Sequence, residues 1–413
     1  MFFHYLKFEL TKRNQRWWVW LLVAILTGIG VTGNFQQKAA QNEFIQKYRQ
    51  ELIHQGASQA NGPTALKIEL QQLNRSPAAY NHWFAAELPV LNGQRPATNN
   101  NAGANYRIAV LNGSAKPDYL DAVNRTEHQN ELLAQHKLSS YYPQGLLFTD
   151  QELQTMPAET AKLVREWFPI FYVRGFDYLQ YLFQQDVPFY LLLIGIIVSG
   201  GLFAKELAHQ RAHANWLRLQ GESWGTQIAV QFLTIGLTTV EIVLLPLLLT
   251  TLVTGCLNGF GSLQFPVINV TYQAALNSFA EDFTTSGQLI FHSIALLLLL
   301  IALVTTFNIV TALIAKNAWI TTAIVLLVTA SALIMPPIPW LPLSFFNVWK
   351  IASGTIAQST ALPEMQLASS IRIIMVWLLG LLAATAIGSL NFTHHSSFKA
   401  SSKADAAENE RSY

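Results

Sequence analysis

Residues 204–224 read AKELAHQRAHANWLRLQGESW, a polar, cationic stretch between two apolar runs, each long enough to cross a bilayer. Lys205, Arg211 and Arg218 place it on the cytoplasmic side, where positively charged loops are retained. Leu207, Trp216, Leu217 and Leu219 give it an apolar surface, and Gly221 reads as a helix stop. Residues 205–224 are therefore expected to form a cytoplasmic helix tethered at both ends by spans. Such a helix either passes force between a cytoplasmic partner and the membrane or is an ordinary solvated loop. The rest of the chain has to separate these two readings.

Of 413 residues, 51% are hydrophobic and only 12% charged, with the apolar ones gathered in long blocks. That balance describes an integral membrane protein rather than a soluble globular one. The net charge of +2 says little about partners, because the sidedness of the charges matters more than their sum; no nucleic-acid partner is expected. The single cysteine, Cys256, excludes an intrachain disulfide framework and a Cys-based metal cluster. An external domain must then cohere by packing alone.

Residues 1–16 carry Lys7, Lys12, Arg13 and Arg16 with Phe2, Phe3, Leu6 and Leu10 at helical spacing, as in an amphipathic helix on the cytoplasmic leaflet. Residues 17–33 form the first span, with Trp17, Trp18 and Trp20 in its aromatic belt; no A-x-A-like site follows, so it reads as retained. Residues 34–186 are polar, rich in Gln, Asn and Ala, and long enough for an extracellular domain. Helices are expected there over 36–55, 64–73, 117–137 and 150–167, with loop over 89–111 and one short strand at 106–111. The aromatic run 167–183 reads as an interfacial belt, with a substrate vestibule as the competing idea.

The second span is expected over 187–204, the third over 225–254, the fourth over 288–315, the fifth over 318–335 and the sixth over 371–390. Residues 255–287 form an outer loop without Lys or Arg, 336–370 a re-entrant outer segment, and 391–413 a cytoplasmic tail. The fold class is thus an all-α polytopic membrane protein with six transmembrane helices and a mostly helical, α or α+β, extracellular domain. Six spans put both termini inside, in accord with the basic inner segments.

No phosphate-binding loop, GxGxxG after a strand, HExxH or CxxC pair occurs, so work must be driven by another subunit or an ion gradient. Within the spans, four polar residues are singled out: Glu241, His292, Asn308 and Arg372. An intramembrane carboxylate is costly unless protonated, paired or wetted, and His292 and Arg372 lie at depths that let either approach Glu241. The set acts either as an interhelical clamp worth about 1 kcal/mol or less, or directly in transport or proton handling.

With its large domain after the first span and polar helix after the second, the chain resembles the ABC-2 type permeases, the membrane subunits of ATP-binding cassette exporters. Glu206 stands where that family has a Glu after the second span, and residues 211–221 where it has its coupling helix. Residues 341–347, LPLSFFN, followed by 350–354, resemble the family's outer "LPFSYF…G" segment, with Phe345 where Tyr is common. Residues 1–16 match the elbow helix. His209 and His213 depart from the usual coupling segment.

The resemblance implies that Glu206, Arg211, Trp216, Arg218 and Glu222 engage a cytoplasmic ATPase subunit. It also implies a second permease copy or homologue, with ATP and Mg held by the partner chain and no cofactor or catalytic residue in this one. The implied activity is outward movement of a peptide, drug, lipid-like molecule or ion across a bacterial cell membrane. The competing classes are a mechanotransmission module that works its outer domain without transport, a membrane sensor or immunity protein, and, least favoured, an intramembrane enzyme.

Overall fold

The computed structural model describes residues 2–14, 17–59, 64–91, 119–207 and 224–410. The chain is mostly helical, at 77%, with one small two-stranded sheet. Five helical stretches are long and apolar enough to cross a membrane: Trp17–Ala57, Val187–Leu207, Trp224–Asn258, Ser286–Ala315 and Leu367–Gly388. Helices suit that environment because they satisfy their backbone hydrogen bonds internally.

Helix α1 is Phe2–Asn14, and α2 runs unbroken from Trp17 to Leu52. The separate span and domain helix expected at 17–33 and 36–55 are thus one rod of 36 residues, roughly 54 Å long. Nothing between them breaks a helix: Asn34 and Gln36 tolerate helical geometry, and Gly33 lies against the Tyr178 hydroxyl instead of ending the turn. A π-helical turn, Ile53–Ala57, ends the rod at Gly56, where φ is +100°.

The polar domain continues with α3 (Thr64–Arg75), α4 (Pro77–Leu91), α5 (Tyr119–Gln135), α6 (Asp150–Thr155) and α7 (Ala158–Trp167). The helix expected over 150–167 is two helices, because Pro157 cannot donate to the ladder and Met156 is extended. Thr149 and Glu152 form a reciprocal capping box at the start of α6. Helix α4 was not anticipated; Pro77 opens it and the Ser76 hydroxyl accepts the Ala79 N–H at 3.1 Å, so its start is well capped despite a weak apolar period. Tyr48, Leu52, Tyr80, Phe84, Leu88 and Val123 form the heart of the domain core. The strand expected at 106–111 lies outside the described residues.

After α8 (Gly175–Gln184), the second long apolar stretch divides into α9 (Val187–Ser199) and α10 (Leu202–Leu207), interrupted at Gly200 and Gly201. Helix α11 (Trp224–Asn258) is continuous through Pro246. The loop after it holds the sheet, an antiparallel hairpin of β1 (Pro266–Gln273) and β2 (Ser278–Thr285), in register from Pro266↔Thr285 to Gln273↔Ser278. Residues 255–287 read only as loop because both hairpin faces are partly exposed, which blurs the alternation that marks a strand. Helix α12 (Ser286–Ala315) grows directly from β2, its N-terminus capped by Thr285.

Helix α13 (Ala318–Ala330) follows a two-residue turn in which Lys316 is left-handed and Asn317 caps the new helix. With the 3-10 turn Ser331–Leu333 it supplies roughly 25 Å of helix, short of a hydrocarbon core of about 30 Å. The apolar segment expected over 318–335 is therefore the one that falls below full spanning length, stopped by Pro336 and Pro337. Short helices α14 (Val348–Ala352) and α15 (Thr355–Thr360) precede α16 (Leu367–Glu410), which carries the expected polar tail as helix well past residue 390.

Burial ranks the helices. In α12, 61% of the apolar window is buried, against 17% in α2 and 11% in α16, so α12 is the axis and the other two are rim. Leu192, Ile196, Val243, Leu296, Leu300 and Phe345 fill the space around that axis. Many threonines are tolerated there because their hydroxyls donate to carbonyls one turn back, as in Thr238 to Thr234 at 2.7 Å and Thr306 to Ala302 at 2.8 Å.

The domain core also contains two carboxylates. Glu69 accepts from the Tyr48 hydroxyl, and Glu87, 6% exposed, has its pKa pushed up to about 7 by burial and by Glu69. A carboxyl with a folded pKa above its unfolded one binds more protons when folded, so its stabilising contribution is complete below 4.5 and lost as pH rises through about 7. Hydrogen-exchange protection of α4, corrected for intrinsic rates, is expected to fall across that window in the parental protein. Glu87→Gln should flatten the dependence; an unchanged slope would show that Glu87 does not titrate there.

Candidate functional site

Three polar regions are candidates. The first borders the segment on which the sequence argument turns. Arg211, Trp216, Arg218 and Glu222 lie within 208–223, outside the described residues; Glu206 and both flanks of that segment are described. Glu206 accepts a hydrogen bond from Gln231 Nε2 of α11 at 2.9 Å, and the same amide nitrogen reaches the Tyr5 hydroxyl of α1 at 3.3 Å. Burial, then the charges of Glu206 and Glu9, push the Tyr5 pKa up, so its hydroxyl stays protonated. Trp224, at the other flank, packs on Phe203 with ring centroids 6.4 Å apart, over Ile309, Ala312 and Leu313. Both ends of 208–223 are thus seated on the bundle, and α1, α10 and α11 meet at one buried glutamine. Gln231, which sequence reasoning missed, was legible only as one polar residue in a helix where most polar positions are threonine.

The second region is the set of polar residues inside the apolar helices. Asn308 of α12 is 2% exposed and lies where α9 breaks: a side chain on Gly200 would stand 3.3 Å from its Nδ2 and 3.1 Å from Thr322 Oγ1. Only glycine lets α9, α12 and α13 approach this closely. Glu241 is half-buried on α11, on a helical face shared with exposed Leu237, Leu248 and Leu252. His292 is half-buried with its ring against Phe291 at 6.2 Å, and Arg372 is exposed at the start of α16. Among the described residues neither His292 nor Arg372 forms an ion pair.

The third region joins the polar domain to the hairpin, and no sequence argument pointed to it. The Arg125 side chain, 11% exposed on α5, is held by Glu152 of α6 and Glu281 of β2. Its Nη1 donates to the Leu147 carbonyl at 2.7 Å and Glu152 Oε2 at 3.0 Å, and its Nη2 to Glu152 Oε1 at 3.1 Å. Nε donates to Glu281 Oε2 at 3.0 Å, and Nη2 lies 2.9 Å from the same oxygen. Burial alone would lower the Arg125 pKa; the hydrogen bonds and charges of Glu152 and Glu281 outweigh it and hold the guanidinium charged. One turn on, Gln129 Nε2 donates to the Pro266 carbonyl of β1 at 2.9 Å. Beside the clasp is a cleft of about 580 Å³, lined by α5, α6 and both strands. The available signal was charge: Glu281 and Asp282 are the only side chains in 255–287 that are charged at neutral pH, and an acidic pair without a local cation needs one from elsewhere.

The hairpin is fixed on its other side too. Val270 N–H donates to the Ser353 carbonyl at 2.8 Å, and Gly354, at φ +71°, sits so close that a side chain there would meet the Val270 carbonyl. Gln358 reaches Glu281 at 3.2 Å. Asn347, in the LPLSFFN segment, caps α14 through the Lys350 N–H at 3.1 Å and donates to Asp186 at 2.9 Å, at the start of α9. Burial, opposed by the charge of Lys350, pushes the Asp186 carboxyl up to about 6.

No family model, curated protein or solved structure matches this chain.

Removing Arg125 would leave Glu152 and Glu281 close together without their shared cation. Arg125→Met is expected to destabilise the domain–hairpin junction by on the order of 3 kcal/mol, since one half of a desolvated pair costs more lost than both. Arg125→Met with Glu281→Gln should recover part of that loss. Denaturation of the detergent-solubilised chain gives the cycle, and strictly additive effects would show that the pair is not coupled.

Proposed function

We propose that this chain is the membrane subunit of an ATP-driven exporter, worked from the cytoplasm through residues 205–224 by a separate ATPase subunit. The observation that carries the reading is the meeting of Tyr5, Glu206 and Gln231 at the root of that segment. A force applied to 208–223 would reach α10 directly, α11 through Gln231 and Trp224, and α1 through Tyr5. An ordinary solvated loop has no use for two buried anchors.

In this reading the chain crosses the bilayer six times, α13 completing its crossing through the proline-rich segment after Leu333. The polar domain and hairpin face outward, and both termini face the cytoplasm. Residues 1–16 lie on the inner leaflet. Two copies, or one copy and a homologue, form the pathway. ATP and Mg would be bound by the partner ATPase, and the cargo would be a peptide, drug, lipid-like molecule or ion.

One observation favours a second reading. The unbroken α2 and the Arg125 clasp tie the polar domain rigidly to the bundle, as a mechanotransmission module would require. Vesicles containing the complex separate the two: ATP-dependent accumulation of a cargo supports export, whereas ATP-dependent movement of the domain without accumulation supports transmission.

Topology is tested with single cysteines in a Cys256→Ser background and an impermeant thiol reagent. Asn100→Cys should label in intact cells, while His213→Cys and Lys403→Cys should label only after permeabilisation. Labelling of His213→Cys in intact cells would end the six-span arrangement.

The ATPase contact is tested by substitution. Trp216→Ala is expected to weaken association with the ATPase subunit by about 2 kcal/mol or more, because interface energy concentrates in central aromatic anchors. Arg211→Glu with Arg218→Glu should weaken it in a salt-dependent way. Unchanged co-purification and ATP hydrolysis for Trp216→Ala would show that this segment is not the coupling element.

A further inference from the structure

The cleft beside Arg125 has the size and chemistry of a ligand site. Its volume of about 580 Å³ falls within the roughly 300–1,000 Å³ usual for small-molecule pockets. Ile268 and Phe283 supply apolar wall, and the His128 ring lies 5.4 Å from that of Phe283, extending the aromatic surface. Asn124, Gln151 and Thr155 add hydrogen-bonding groups along the edge.

The charge of the ligand follows from which groups are already engaged. Arg125 has five N–H donors, and each faces a protein oxygen: Leu147, Glu152 twice and Glu281 twice. An anionic ligand would find no free donor on the one guanidinium in the cleft. The carboxylates are not exhausted in the same way. Glu152 and Glu281 are committed to Arg125, but Asp121 and Asp282 line the same cleft, are exposed, and form no ion pair among the described residues. One Asp282 oxygen accepts the neighbouring Phe283 N–H at 2.7 Å; the other carries no hydrogen bond among the described residues.

We propose that this cleft binds a small organic ammonium ligand, its charged end drawn to Asp121 and Asp282 and its aromatic or aliphatic body against Ile268 and Phe283. Such a ligand would touch α5 and β2 at once, segments as far apart in sequence as Arg125 and Glu281, which are 156 positions apart. It would therefore bind only while the domain and hairpin are joined. The inference concerns the cleft alone and does not depend on the ATP-driven reading.

The test uses the full chain in nanodiscs of zwitterionic lipid and dansylcadaverine, a fluorescent aromatic carrying one primary ammonium. Saturable binding is expected, read from the blue shift of the dansyl emission. The N-acetylated, neutral form of the same probe should bind at least about tenfold more weakly to the parental protein, the weight of one charge-assisted hydrogen bond. Asp121→Asn with Asp282→Asn should weaken dansylcadaverine by at least the same factor. The two positions are exposed and the replacements isosteric, so the thermal midpoint should not move; the neutral-probe comparison needs no variant at all. No saturable signal, or a smaller ratio in either comparison, would overturn the proposal.

Discussion

A single helix leaves the apolar bundle and enters the polar domain without a break, and the placement of everything beyond it depends on how α2 is held. The holding is by contact of small and polar groups. Gly30 comes so close to α11 that a side chain would meet Thr250, and its carbonyl accepts from Tyr178 of α8 at 2.9 Å. One turn on, Asn34 donates to the Val173 carbonyl and accepts from Asn258, each at 2.9 Å; a turn later Lys38 reaches Asn258 at 2.6 Å. These positions form one stripe of the helix, and outside it most of the apolar part of α2 is exposed. Small residues that let backbones approach, followed by a short amide ladder, are how helices associate where the surroundings are as apolar as their side chains.

The Arg125 clasp is the second point of attachment. A domain held only by α2 could bend about the rod's exit from the bundle; held also at the hairpin, it is constrained at two separated places. The hairpin itself springs from the ends of α11 and α12 and is braced by Ser353, Gly354 and Gln358. Displacement of α11 or α12 would thus be felt in the domain through both attachments. At the opposite end, Gln231 joins α11 to Glu206 and Tyr5. Helix α11 is therefore the element that touches both polar regions, and its neighbour α12, the most buried long helix, is the axis about which it packs.

The long apolar helices were legible because hydrophobic length is a strong signal, and the domain's amphipathic helices because their period is. Boundaries and breaks were less so. No local residue announces that α2 continues past Gly33, since that outcome rests on tertiary contacts with Tyr178, Val173 and Asn258. The shortness of α13 was foreshadowed by its prolines: helical structure stops at Leu333, before the expected end at 335. The hairpin was hidden by two half-exposed faces. In the candidate sites, Asn308 stood out as a polar residue in apolar surroundings, whereas Glu206 was singled out only through the resemblance of its segment to a known family. Arg125 did not, because an arginine in a polar helix is unremarkable until a glutamate 156 positions away is found beside it.

The anchored segment at one end and the doubly attached domain at the other are the observations behind the proposal that the chain is worked by a cytoplasmic partner. The most direct measurement is to purify the chain from its native membrane in mild detergent, identify what accompanies it in fixed ratio, and assay the preparation for ATP hydrolysis. The account predicts a stoichiometric ATP-binding cassette subunit and hydrolysis inhibited by vanadate. A chain that purifies without any ATPase, in a preparation that hydrolyses no ATP, would contradict it.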